Sequence, residues 1–223
     1  MSDFAFDLAH LLAGLMVVAS MVLLYQDRLN AVINVFAAQA MLLGAAVGWQ
    51  AEMQGAGHLW ITAVIAFVFK GVVIPAALHA MVRKLGIHRE VEAVVGVGPT
   101  LIAGLALTAL AVLVVMPATE NANPLSREDL AFALAVVLLG LLMMITRRNA
   151  ITQIIGFMSL ENGLILAAAG AKGMPLVVEV SVAFSILIAF TVFGVFVFRI
   201  RERFDTVDIG ALERFRGEQQ DDA

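Results

Sequence analysis

The sequence predicts an all-α integral membrane protein of about seven transmembrane helices, and three observations carry that prediction. Of the 223 residues, 61% are hydrophobic and only 14% charged, and the mean hydropathy is strongly positive, far outside the range of water-soluble domains. The apolar runs reach about 20 residues, the length at which a helix crosses the hydrocarbon of a bilayer. They also lack the period-two alternation of a transmembrane barrel, so the backbone polar groups must find their partners inside helices.

Turn signals and charge clusters place the spans near residues 4–24, 30–49, 59–81, 95–117, 129–145, 151–171 and 175–198. The first follows "MSDFAFDLAH", which is acidic where a signal peptide would be basic, and is expected to stay as a helix. The second is entered through "DRLN" and holds "GAAVG" at 44–48, a small-xxx-small pattern suited to close helix packing. The third carries "AFVFKGVVIP", with a lysine inside hydrocarbon sequence. The fourth runs into "PATENANPLSRED", whose Pro and Asn content makes it the expected joint between a four-helix part, residues 1–118, and a three-helix part, residues 129–198. The fifth and sixth are linked through "TRRN", and the last starts behind Pro175 and leads into a tail, residues 199–223.

Charge distribution orients these spans. With the amino terminus outside, the inner loops and tail hold Arg28, Arg83, Lys84, Arg89, Arg147, Arg148, Arg199, Arg201, Arg203, Arg214 and Arg216, against only Arg127 and Lys172 in the outer loops. That imbalance follows the positive-inside rule and puts the carboxyl terminus in the cytoplasm, as for a multi-pass protein of the inner membrane. The tail alternates basic clusters with Phe204, Val207, Leu212 and Phe215, a pattern suited to a membrane surface or to a peripheral arm.

Several chemistries are disfavoured. A chain without cysteine has no disulfide framework, no thiolate-held zinc and no cysteine-bound iron–sulfur cluster of its own. His10, His58 and His79 fall near span ends and His88 in a loop, so no pair at one depth suggests haem ligation. The methionines are scattered as packing residues. No cofactor, metal or catalytic centre is expected, and nothing calls for a nucleic-acid partner.

Against that background, Lys70 and Glu161 stand out, because each falls about halfway along a span. A charge there costs about 2.5–3.5 kcal/mol on insertion scales, so such residues face protein or water and often mark ion pathways; the structural alternative is a polar staple between helices. Next to Lys70, Gly71 permits close backbone approach, and Pro75 cannot donate to the Gly71 carbonyl, which predicts a kink and a free acceptor within reach of the lysine. Burial and an opposite charge push the proton affinities of an amine and a carboxyl in opposing directions, so a Lys–Glu arrangement suits proton relay. Ser159 and Asn162 flank Glu161 as hydrogen-bonding support. Glu179, in the first turns of the last span, reads equally as a gate or as an interface anchor, and Ser181 and Ser185 stand one turn apart on the same helix. Finally, residues 31–48 can be laid without gaps on residues 153–170, which sets Gln39 opposite Glu161.

"TRRNAITQIIGFMSLENGLILAAAG", the last span and the tail "RIRERFDTVDIGALERFRG" resemble subunit K of respiratory complex I. The whole chain resembles its longer relatives, the hydrogenase-4 component E family, whose third span and lysine "HLWITAVIAFVFKGVVIPAALHAMVRKLG" matches. The resemblance implies that Glu161 corresponds to a middle-helix glutamate of a proton-conducting axis, with Lys70 as a further intramembrane group. It implies a non-catalytic subunit contributing to proton translocation, with partners that include antiporter-like membrane subunits and a peripheral redox arm. Two departures stand beside it. The Asn149-to-Glu161 spacing is about one helical turn longer than in subunit K, and the last span, "SVAFSILIAF", has Ser185 where related chains often have an aspartate. A subunit of a multisubunit cation/proton antiporter and a purely architectural membrane subunit are the alternative readings.

Overall fold

The computed structural model describes residues 3–85, 95–119, 124–170 and Leu187. The chain divides into two units, Met1–Ser185 and Ile186–Ala223, and the helices described below all belong to the first. Among the described residues all regular structure is helical: α1 (Asp3–Tyr25), α2 (Leu29–Gln54), α3 (Gly57–Ile65), a π-helical segment (Ala66–Val73), α4 (Ile74–Leu85), α5 (Val97–Ala118), α6 (Pro124–Thr146) and α7 (Ala150–Gly170). The third rod is continuous from Gly57 to Arg83, so six helices here are long and apolar enough to cross a membrane. The expected seventh span, 175–198, lies outside the described residues except for Leu187.

Burial explains the arrangement. α1 hides Ala13, Met16, Ser20 and Leu24, one stripe at helical spacing. α2 is buried on several sides, from Val32 and Ile33 through Phe36, Gln39 and Leu43 to Val47, because it packs on α1, α3, the π segment and α7. By contrast α5 buries only Thr100, Gly104 and Ala111 and turns Ile102, Leu105 and Leu113 outward, the pattern of a helix facing lipid. Gln39 meets Ser159 and Gln54 meets Ala169, so α2 and α7 run side by side in one direction. His10 meets Phe132, and Arg147 reaches Leu24 and Gln26, so α1 and α6 do the same.

Within a membrane, close packing has to hold helices together where a hydrophobic driving force is missing. α6 and α7 meet almost backbone to backbone: a Cβ on Gly163 would lie 2.8 Å from the Ala133 carbonyl oxygen, and one on Gly140 2.5 Å from the Leu160 amide. Gly44 of the "GAAVG" pattern similarly faces Phe67 and Ala63, as that pattern suggests. Arg147 supplies a polar clamp. Its Nη2 donates to the carbonyls of Leu24 at 2.7 Å and Gln26 at 2.9 Å, satisfying acceptors that the end of α1 leaves open.

The irregularity expected before Pro75 is a π segment: Ile74 N–H donates to the Phe69 carbonyl five residues back, so the helix widens over eight residues. The buried face shows the use of that turn. Ala66, Lys70, Ile74, Leu78 and Val82 recur every fourth residue, and in a regular α-helix each such step would overshoot one face by about 40°. A wider turn absorbs part of that drift and keeps Lys70 inward.

Gly163→Leu is expected to destabilise the bundle by at least about 1–3 kcal/mol, because the added side chain meets backbone that cannot yield. Gly14→Leu, where nothing lies within 4 Å, is the control that should change little. Thermal loss of the monodisperse protein in detergent measures both.

Candidate functional site

Lys70 and Glu161 meet. Each stands midway along its helical rod, one on the π segment and the other on α7. The ammonium Nζ lies 3.0 Å from a Glu161 carboxylate oxygen, with the side chains 1% and 4% exposed. The ammonium also donates to Asn162 Oδ1 at 2.9 Å. The free Gly71 carbonyl expected to receive the lysine is not among its partners; the ammonium turns to α7.

Behind the pair runs a chain of neutral groups. Asn162 Nδ2 donates to Gln39 Oε1 at 3.4 Å, and Gln39 Nε2 donates both to Ser20 Oγ at 2.6 Å and to Ser159 Oγ at 2.9 Å. Ser20 in turn donates to the Met16 carbonyl at 2.8 Å. These donors point one way, from the lysine through Asn162 and Gln39 to the backbone of α1. Aligned hydrogen bonds polarise one another, which fixes the Asn162 amide with its oxygen toward the ammonium. Carboxamides do not exchange protons as acids or bases near neutrality, so this chain holds the orientation of the groups around the ammonium.

Four helical elements thus converge at one depth: α1 through Ser20, α2 through Gln39, the π segment through Lys70, and α7 through Ser159, Glu161 and Asn162. Of the residues singled out in the sequence, Lys70, Glu161, Gln39, Ser159 and Asn162 form this one cluster. The roles shift in detail, since Ser159 serves Gln39, and Asn162 serves the lysine and Gln39. Gln39 and Glu161, which occupy equal places in the two ungapped stretches, sit on the two neighbouring parallel helices. Glu179, Ser181 and Ser185 lie outside the described residues.

Sequence reasoning missed Ser20, Arg147 and Asp129. A lone serine in an apolar span carries little signal. Arg147 reads from sequence only as an inner-side charge, yet it is buried against α1. Asp129 reads as a membrane-edge residue when the fifth span begins with it; α6 starts at Pro124, and Asp129 lies one and a half turns inside, 3% exposed.

Breaking a buried pair by removing one member leaves the other charge uncompensated, at a cost of about 3–5 kcal/mol. Lys70→Met alone should therefore unfold well below the wild type in detergent melts. Adding Glu161→Gln should recover at least half of the loss, whereas additive losses would mean that the two groups do not interact.

Over 208 residues the chain is 30% identical to the uncharacterised protein Rv0085 of Mycobacterium tuberculosis, a match that covers 92% of this chain and 94% of that protein. Over 210 residues it is 28% identical to hydrogenase-4 component E of Escherichia coli K12 and of Shigella flexneri, covering 92% of this chain and 96% of each relative. No family model matches the chain. No solved structure matches it either.

Proposed function

Because the chain belongs to the hydrogenase-4 component E family, we propose that it is a non-catalytic, multi-pass subunit of a hydrogenase-4-like, complex I-related assembly of the inner membrane, and that it contributes to proton translocation driven by redox chemistry in partner subunits. The observation that carries this reading is the Lys70–Glu161 pair, closed off from solvent and held by Asn162. Intramembrane ionisable residues facing a bundle interior recur at ion and proton pathways. A proton added to the pair gives a neutral carboxylic acid beside an ammonium, and a proton withdrawn gives a carboxylate beside a neutral amine. Each changes the net charge of a water-poor site, so the site couples electrostatically to charge elsewhere in the assembly. The neighbours proposed to exchange protons with it are antiporter-like membrane subunits, and the tail, residues 199–217, is proposed to dock the peripheral redox arm.

In the assembled complex, Glu161→Gln and Lys70→Met should each reduce proton translocation by at least about tenfold while redox turnover and assembly persist. Proton uptake by inverted membrane vesicles, driven by the complex's own electron donor, measures this. Normal assembly with undiminished translocation in both variants would leave an architectural role.

The proposed orientation puts the amino terminus outside. It makes the α2–α3 turn external and the α6–α7 turn cytoplasmic. A cysteine-free chain allows a direct test with single substitutions at two exposed sites. In intact cells a membrane-impermeant maleimide should label His58→Cys and spare Arg148→Cys; the opposite pattern would invert the topology.

A further inference from the structure

A second polar site occupies the end of the bundle where α2 and α7 finish. Asp129 of α6 is 3% exposed, and its Oδ2 accepts an N–H from Gln50 at 2.8 Å. Gln50 has no freedom to turn its amide round. Its Oε1 accepts from Gln54 Nε2 at 3.0 Å, and that same nitrogen spends its other hydrogen on the Ala169 carbonyl at 2.8 Å. The ladder from α7 through α2 thus presents an N–H to Asp129 and leaves the second carboxylate oxygen to carry a proton. A neutral amide donor satisfies either protonation state, which a cationic partner would not.

The charged groups around Asp129 are otherwise engaged. His10 of α1 pairs with Glu128 of α6 at 2.7 Å, at a position one-third to nearly one-half exposed. Arg127 donates to the Met116 carbonyl. From α2 and α7 the facing groups are the amides of Gln50 and Gln54 and the backbone at Gly170, beside which Asp129 packs. Among the described residues no cation forms an ion pair with Asp129. A buried carboxylate that accepts from an amide and pairs with no cation among the described residues, next to a half-exposed histidine and glutamate, is placed to take up and release protons.

Between this site and the central pair lies an apolar layer. Gly163 against Ala133 and Gly140 against Leu160 put Glu161 near the level of Val137, so Asp129 stands about eight residues, or about 12 Å, away along α6. Leu43 and Val47 of α2, Ala131, Ala133 and Ala135 of α6 and Leu166 of α7 lie in the interval, all buried. No direct transfer bridges such a distance.

We propose that Asp129 is a second proton-binding group of this subunit, exchanging protons with the Lys70–Glu161 pair when water enters the apolar layer between them. The inference rests on the proton-translocating reading of the central pair. In the step itself one proton leaves the carboxyl of Glu161 for a water. A proton then passes along the water file to the Asp129 carboxylate, which becomes a neutral acid, while Glu161 is left as the carboxylate facing the Lys70 ammonium. The reverse transfer restores both groups.

The test compares Asp129→Asn, Asp129→Glu and Glu161→Gln in the whole complex, reading proton uptake per redox turnover in inverted vesicles. Asparagine keeps an acceptor for Gln50 but carries no exchangeable acid. Asp129→Asn should therefore assemble, keep redox turnover and lose at least fivefold in proton uptake, with Asp129→Glu restoring at least half. Wild-type uptake in Asp129→Asn together with loss in Glu161→Gln would overturn this inference and leave the central reading intact. Wild-type uptake in both would overturn both. Failure of Asp129→Asn to assemble, or a loss that Asp129→Glu does not relieve, would make Asp129 a packing group and also overturn the inference.

Discussion

A lysine and a glutamate facing each other at 3.0 Å inside a helical bundle impose conditions that every neighbouring element meets. Desolvating two ions is unfavourable by several kcal/mol each, and their mutual attraction offsets this only with good geometry and with further hydrogen bonds to the remaining donors and acceptors. Asn162 supplies one such bond to the ammonium, Gln39 fixes Asn162, and two serines fix Gln39. The close glycine contacts of α6 and α7 hold the carboxylate in place from the other side. The polar core is therefore continuous across four helical elements, and the apolar packing around it serves to keep those elements in register.

Much of this architecture is readable in the residues alone. Charge and turn signals locate the six described spans to within several residues, since a bilayer dictates both the length of a helix and where charges are tolerated. The depth of Lys70 and Glu161 is readable for the same reason. Their contact is not, because it depends on how far each helix is rotated about its axis, and the π segment alters that rotation in a way no apolar period reveals. The proline signals irregularity at the right place, and the π segment is the form that the sequence does not specify. Asp129 escapes notice for a simpler reason: a charged residue in the first turns of a span reads as surface unless the helix start is known to lie farther upstream.

The pairing of Gln39 with the Glu161 region gives the faint internal likeness of residues 31–48 and 153–170 a spatial meaning. Equal positions of the two stretches lie on adjacent parallel helices, and the same residue step lays His10 on Phe132, whose rings meet edge-on at 4.9 Å. It also lays Asp7 on Asp129. In both cases the two places have diverged in chemistry. A neutral amide stands in one hairpin where an acid stands in the other, and an exposed aspartate stands where its counterpart is buried. A bundle of two like hairpins built this way keeps its packing while carrying its ionisable interior on one side.

The widened turn at Ala66–Val73 also bears on how this stretch tolerates change. Lys70 apart, side-chain replacement there chiefly alters volume, which the exposed side of the helix or a flexible neighbour such as Met41 can accommodate. Loss of a single residue is different, because it would rotate everything beyond it by about 100° relative to what precedes it. Trp60 and Ile61 would keep their exposed positions while Ile74 and Leu78 swung off the core, and the ammonium would leave its partners on α7. Lys70 apart, length in this segment is therefore constrained more tightly than composition.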